Sequence, residues 1–469
     1  MNFVSFEFLI FFGLVLLPYW IIRDRRWQNL LLLASSCIFY GWLVPWHVLV
    51  LLASTLLDYL LALGMGRWKS GTGVLFWTGL ISNLSLLTLV KYYFSFNHSL
   101  AAWLDGIGFE GDIFLARIIL PLGLSFYILK KIGYLSDVRR GTLSPVTDLV
   151  AFAAYVSFFP QVFSGPIDRP QTLLKQLQEP RIWKVEHVQQ AAGLLVMGFF
   201  KKIVIANTVK VIVDQIFLLE QPSWVLLLVG GLGFTLQILA DFSSYTDISR
   251  GVSFLLGLET MENFRQPYLA LTPGEFWNRW HISLSSWLRD YVFFPLRRTL
   301  LRIRSLPEIL VQSIPPLVTM FISGLWHGVG WQFIVWGLYH GVLIVLYQWS
   351  GLRMDASQMP VPRVRLFAAW LTMFVLIVFG WLIFRAPSLT WLWNVLLHAP
   401  LYRNSFELTA GLSLLSIVAF YASLLMIGSV IDHHRERLTG LRPLYYAAAT
   451  LMIIVFLNSS SPDFIYFQF

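Results

Sequence analysis

The stretch Ile322–Gly341, ISGLWHGVGWQFIVWGLYHG, is apolar enough for hydrocarbon yet carries two histidines, His327 and His340, each followed by glycine. About 20 apolar residues are what a helix needs to cross a bilayer. An imidazole buried there is costly unless it has a partner or lines a wet cavity, so an ionisable residue at membrane depth points to function. The stretch sets two expectations: a membrane-helix fold, and a chemical site inside it.

The rest of the chain extends the first expectation. Of 469 residues, 57% are hydrophobic and only 13% charged, with mean hydropathy +0.67, whereas a soluble domain carries about a quarter charged residues. Such a chain is solvated mainly by lipid, and nucleic acid is not among its expected partners. Apolar runs recur from Phe3–Ile22 to Leu444–Leu457, with Leu149–Phe163 and Trp224–Ala240 among them, and amount to about 11–13 spans. The expected fold is therefore an all-α polytopic membrane protein with additional re-entrant or interfacial helices, in a single domain over 1–469.

The first run has Glu7 as its only charge and lacks the basic region and cleavage site of a signal peptide, so it reads as a retained span. The single cysteine, Cys37, excludes an intramolecular disulfide and a thiolate metal cluster and reads as packing. The net charge of +9 reads first as topology. Arg23, Arg25 and Arg26, then Arg67 and Lys69, then Arg139 and Arg140 alternate with Leu43–His47, which has no basic residue, and with Asn97–Asp112, which is acidic. The positive-inside rule then places the N-terminus outside the cytoplasm.

From Pro121 onward the apolar runs contain Gly, Pro and polar residues: PLGLSFYILKKIGYLSDVRRG (Pro121–Gly141), SFFPQVFSGPIDRP (Ser157–Pro170) and DFSSYTDISRG (Asp241–Gly251). Irregular backbone at membrane depth survives only where protein or a water-filled cavity satisfies it, so these stretches suggest helix breaks around an internal cavity. Read as one helix at 100° per residue, Glu275–Arg298 places Trp277, Trp280, His281, Leu284, Leu288 and Tyr291 on one face. Arg279, Ser283, Ser286 and Asp290 fall on the other. Arg289, Arg297, Arg298, Arg302 and Arg304 then form a basic skirt suited to anionic lipid or an anionic acyl donor.

On these residues the chain resembles the membrane-bound O-acyltransferase family, in its bacterial alginate- and cellulose-acetylation branch. The resemblance rests on the three stretches above together with FKKIVIANTV (Phe200–Val209), ENFRQPYLALTPGEFWNRWHISLSSWLRDYVFFPL (Glu262–Leu296), SGLWHG, FGWLIFRA (Phe379–Ala386) and the terminal FIYFQF. It departs from the alginate-type pattern at Lys130-Lys131. The resemblance implies helices around a central funnel, with a histidine at the constriction where acyl donor meets acceptor. By motif, that histidine is His327, and His281 is the second recurrent polar position. Asp241, Trp326, Trp280 and Arg279 are candidates for lining the substrate tunnel. The implied activity is acetyl transfer from a cytoplasmic thioester, acetyl-CoA or an acyl carrier, across a bacterial inner membrane for O-acetylation of an exopolysaccharide. Implied partners are membrane lipid, a periplasmic acetyltransferase and polysaccharide synthase components. D-alanyl transfer to teichoic acid, and a transporter without chemistry, are the alternatives.

Neutral imidazole suits the removal of a hydroxyl proton near pH 7, or the carrying of an acyl group as a nucleophile. Trp326, Trp331 and Trp336 would wall a water-poor channel. His340, thirteen residues after His327 and roughly 20 Å away on a straight helix, reads as structural. His47, His98, His187 and His398 fall near span ends, and His433 and His434 in a basic stretch, where water satisfies them. Asp241 would anchor an imidazole or Arg250, or cap a helix. No third ligand accompanies His281 and His327, so neither a metal nor a permanently bound cofactor is expected.

Overall fold

The computed structural model describes residues 1–106, 123–352, 362–434, 437–457 and 464, and these form helices and turns without a strand. Seven helices are long and apolar enough to cross a membrane: Trp46–Arg67, Lys69–Lys91, Val185–Phe217, Trp224–Leu255, Glu308–His327, Arg363–Arg385 and Ser405–Asp432. Phe6–Ile21 and Leu441–Phe456 are shorter apolar helices. The protein is thus an all-α polytopic membrane protein. Pro121–Leu122, the end of the acidic stretch Asn97–Asp112 and all of FIYFQF but Phe464 lie outside the described residues, as does the side chain of His98. Within them, the helix Thr72–Gly106 continues through what reads in sequence as the start of that acidic loop.

The chain groups into two compact units, Met1–Val188 with Val252–Met261, and Gln189–Gly251 with Glu262–Phe469. In the first, local capping sets the helix starts. Ser5 accepts from the amide of Phe8, Asp24 from those of Arg26 and Trp27, and Asp148 from that of Ala151; each cap satisfies amides that the first helical turn leaves open. The helix Leu124–Arg140 runs between two left-handed glycines, Gly123 and Gly141. Its two lysines are buried and both engaged. Lys131 pairs with Asp58 at 3.2 Å, while Lys130 donates to Gln161 Oε1 at 2.5 Å and to the Tyr155 carbonyl at 3.1 Å.

Leu149–Phe163 is not a span. Its helix stops at Ser157 after nine residues, and the chain continues as a fully buried turn through Asp168. Protein groups supply that turn's hydrogen bonds: Ser36 Oγ accepts from the amide of Phe159, Asp168 takes Gln161 Nε2 and the amide of Met261, and Tyr155 donates to the Asp168 carbonyl. This polar stretch does break a helix.

Asp241–Gly251, by contrast, lies inside the continuous helix Trp224–Leu255. Two of its hydroxyls fold back on the helix's own carbonyls, Ser244 on Asp241 and Thr246 on Phe242, which lowers the penalty of carrying them through an apolar environment. The stretch Glu275–Arg298 differs in the opposite sense. It is two short helices, Pro273–Arg279 and Ile282–Leu288, followed by a π turn at Arg289–Phe293 and a helix at Phe294–Leu301. Burial still follows the expected apolar face at Trp280, His281, Leu284 and Leu288, but Ser283, assigned to the polar face, is buried too. The arginines of the skirt are exposed.

Candidate active site

The opening stretch is a hairpin rather than a straight helix. The helix Glu308–His327 ends at His327, Gly328 is extended, and a second helix begins at Trp331. A Cβ on Gly324 would lie 2.3 Å from the carbonyl oxygen of Phe333, and one on Gly337 would lie 2.3 Å from that of Met320. Contacts that step backward along one helix as they step forward along the other mean that the two run antiparallel, and glycine permits backbone against backbone.

The turn brings both histidines to one indole. The ring of Trp336 lies 5.0 Å from that of His327 and 5.1 Å from that of His340. Separating His340 from His327 by distance along a straight helix therefore fails. His340 also stacks parallel to Phe276 at 5.9 Å and meets the edge of Trp277 at 5.2 Å.

His327 is buried among aromatic edges: Trp336 at an interplanar angle of 89°, Phe384 at 5.4 Å and 81°, and its neighbour Trp326 at 5.0 Å. Trp331, expected to join this wall, is 73% exposed. The indole nitrogens of Trp336 and Trp277, whose rings lie 5.7 Å apart, are buried without an acceptor among the described residues. Each such N–H costs about 1–3 kcal/mol. Sequence offered no sign of this, because any tryptophan reads equally well as packing.

His281 reaches the same cluster from another segment. Its ring is 6.1 Å from Trp326 and 4.6 Å from Phe242. Its backbone is left-handed, with φ 43°, at a cost of about 1–2 kcal/mol for a side chain with a Cβ. Asn263 stabilises the turn: its carbonyl accepts from the amide of Ile282 and its Oδ1 from that of Ser283. Burial pushes the His281 pKa down to about 3, leaving the imidazole neutral at pH 7. Asn263 lies in the ENFRQPY segment but carries no sequence signal beyond its turn-forming type.

Asp241 is mid-helix, not a cap, and it pairs with Lys202 at 2.7 Å with both side chains buried. Lys202 also lies 4.3 Å from the ring of Phe464. Lys202 is the second lysine of FKKIVIANTV. Trp280 packs on Trp381 at 4.8 Å and on Phe264 at 4.9 Å, inside the aromatic core. Arg279 is held by Glu275 at 2.6 Å on the same short helix. Of the site candidates, His327, His281 and Trp326 come together; Asp241, Trp280 and Arg279 each have other neighbours. No group of three or more His, Cys, Asp or Glu is placed to hold a metal among the described residues. His47 is buried rather than interfacial, and so is His187, which lies 3.3 Å from Glu259. His398 and His434 are exposed, and the side chain of His433 lies outside the described residues.

A buried imidazole at a helix end, walled by aromatic rings within an all-helical polytopic protein, is an arrangement that can hold a base away from bulk water. The model of the membrane-bound O-acyltransferase family matches residues 142–389, which include His281 and His327. The chain belongs to the membrane-bound O-acyltransferase family and is an acyltransferase. It is 36% identical to the probable alginate O-acetylase AlgI of Pseudomonas putida, over 83% of this chain and 78% of that one. It is 34% identical to the protein of the same name from Azotobacter vinelandii, over 84% and 77%. It is also 29% identical to the teichoic acid D-alanyltransferase of Bacillus subtilis, over 73% and 87%.

Proposed function

We propose that this acyltransferase moves acetyl groups from a cytoplasmic thioester, acetyl-CoA or an acyl-carrier thioester, to the far side of a bacterial inner membrane, for O-acetylation of an alginate- or cellulose-type exopolysaccharide. The carrying observation is His327, buried at the turn of the hairpin among aromatic edges, in a chain 36% identical to a probable alginate O-acetylase. The alternation of basic loops supports a periplasmic N-terminus, and the partners would be a periplasmic acetyltransferase and the polymer's synthase.

His327 takes the proton from the attacking hydroxyl as the new C–O bond forms; the C–S bond then breaks and the departing thiolate receives that proton. In the relay form, the His327 nitrogen attacks the thioester carbonyl, the C–S bond breaks and the thiol leaves with the imidazole proton, and the acceptor hydroxyl then attacks the acetyl-imidazole, returning its proton to His327 as the N–C bond breaks. Trp336 Nε1, buried beside His327 and without an acceptor among the described residues, is the donor we assign to the carbonyl oxygen as negative charge develops on it. The aromatic wall keeps water from the thioester.

The test is His327→Ala in cells producing the polymer. The variant should insert at the normal level while polymer acetyl content falls to near zero, and unchanged acetylation would sink the base and relay assignments together. Parallel analysis of D-alanine in wall polymer addresses the relationship to the teichoic acid D-alanyltransferase, since loss of D-alanine rather than acetyl would reassign both donor and acceptor.

A further inference from the structure

The helix Ile282–Leu288 starts against the usual rule. Its cap position is His281, whose side chain caps nothing and whose backbone is left-handed, with φ 43° and ψ 54°. A cap position ordinarily holds Ser, Thr, Asp or Asn in an extended conformation, the side chain accepting from amides that the first turn leaves open. Here those amides are met from another segment. The Asn263 carbonyl accepts from the amide of Ile282 at 2.9 Å and its Oδ1 from that of Ser283 at 3.0 Å, while the amide of Arg265 donates to the Arg279 carbonyl at 3.0 Å. Asn263 thus acts as the cap from a distance, and residue 281 need not be of a capping type.

That exchange sets the direction of the His281 ring. From the left-handed backbone the ring meets Phe242 edge-on at 4.6 Å and 84°, and it lies 6.1 Å from the ring of Trp326, the chain neighbour of His327. Asn263, buried like His281, is tied to the same wall. Its Nδ2 reaches Thr246 Oγ1 at 3.5 Å, and that hydroxyl donates to the carbonyl of Phe242. Backbone and ring of His281 are therefore both registered against the helix Trp224–Leu255. The other non-glycine residue with positive φ among the described residues is Gln266, on the segment paired with this turn, so the strain is confined to the crossing of the two. An ordinary cap at 281 would start the same helix without that strain. A left-handed residue that its surroundings over-determine is a mark of functional sites, where a local rule is broken and compensated elsewhere.

We propose that Asn263 is a positioning residue for acyl transfer: by capping the helix Ile282–Leu288 in place of residue 281, it holds the His281 imidazole towards Trp326 and the turn that carries His327. The proposal rests on the reading of this cluster as the transfer site. Acetylated polymer per unit of inserted protein is measured for Asn263→Ala, His281→Ala and the double variant. Asn263→Ala should lower transfer about tenfold or more, since a small misplacement of a reacting group is costly in rate. In the His281→Ala background the same change should lower it by less than about twofold, because residues that act as one unit are not additive. Asn263→Asp keeps an acceptor for the Ser283 amide, Asp being an ordinary capping residue, and should restore most of the rate lost in the alanine variant. If Asn263→Ala does not insert, Asn263→Ser, whose hydroxyl is an atom too short for that amide, takes its place in the cycle. Losses that multiply in the double variant, or a parental rate in Asn263→Ala beside an impaired His281→Ala, overturn the proposal alone. A parental rate in His281→Ala overturns the assignment of His281 to the site and the proposal with it.

Discussion

Trp336 meets the ring of His327 at 89° and that of His340 at 69°, and its indole N–H is buried without an acceptor among the described residues. Trp336→Phe retains an aromatic wall and removes only that donor. Losing one oxyanion donor typically costs about 10²–10³ in turnover. The variant should therefore reach the membrane at parental levels while acetyl transfer falls by about that factor; a parental rate would leave Trp336 as packing. His281 bears on the chemistry differently, because its ring is neutral and its left-handed backbone depends on Asn263. His281→Ala is expected to lose part or most of the transfer, measured as acetylated polymer per unit of inserted protein. At this scale the motifs picked out His327 and His281, and the fold brings both rings to Trp326. Sequence had no means of ranking the tryptophans, because what distinguishes Trp336 from Trp331 is burial and an unmet N–H, both properties of surroundings.

The hairpin carrying His327 depends on two places where backbone meets backbone. An added Cβ at Gly324 or Gly337 would lie 2.3 Å from a carbonyl oxygen of the facing helix, and a carbonyl cannot rotate away as a side chain can. Gly324→Ala should therefore separate the helices. A loss of about 1–3 kcal/mol is the usual cost of overpacking, and it should appear as a lower midpoint in thermal unfolding of detergent-solubilised protein together with reduced transfer. Gly13→Ala, where nothing lies within 4 Å of the added atom, is the control and should leave the midpoint unchanged or slightly raised. The elements misread from sequence fail for an identifiable reason. Periodicity assumes a helix that continues, and it cannot register the turn at Trp280–His281, which Asn263 enforces from outside the segment. Polar content misleads in the reverse direction at Asp241–Gly251, where hydroxyls bond back to their own helix and leave it unbroken.

Each unit carries a buried ion pair in apolar surroundings, Lys131 with Asp58 in one and Lys202 with Asp241 in the other. Removing one member strands the other's charge, which typically costs about 3–5 kcal/mol. Lys131→Met should thus lower the thermal midpoint sharply. Asp58→Asn in the same background should restore much of it, since the carboxylate charge left unpaired is then gone; equal damage in single and double variants would show that the pair is not coupled. Such pairs also account for how a chain with 13% charged residues can bury several of them. Hydropathy and charge alternation are additive along a chain, and so the amino-acid order alone established a helical membrane protein, and its motifs pointed to His327 and His281. Which residues meet is not additive. The meeting of His327 and His340 at Trp336, the pairing of Asp241 with Lys202 and the hold of Asn263 on the turn at His281 depend on segments that approach only after folding, where a hydrogen bond or a missing Cβ acts over a few ångströms and leaves no trace in local periodicity.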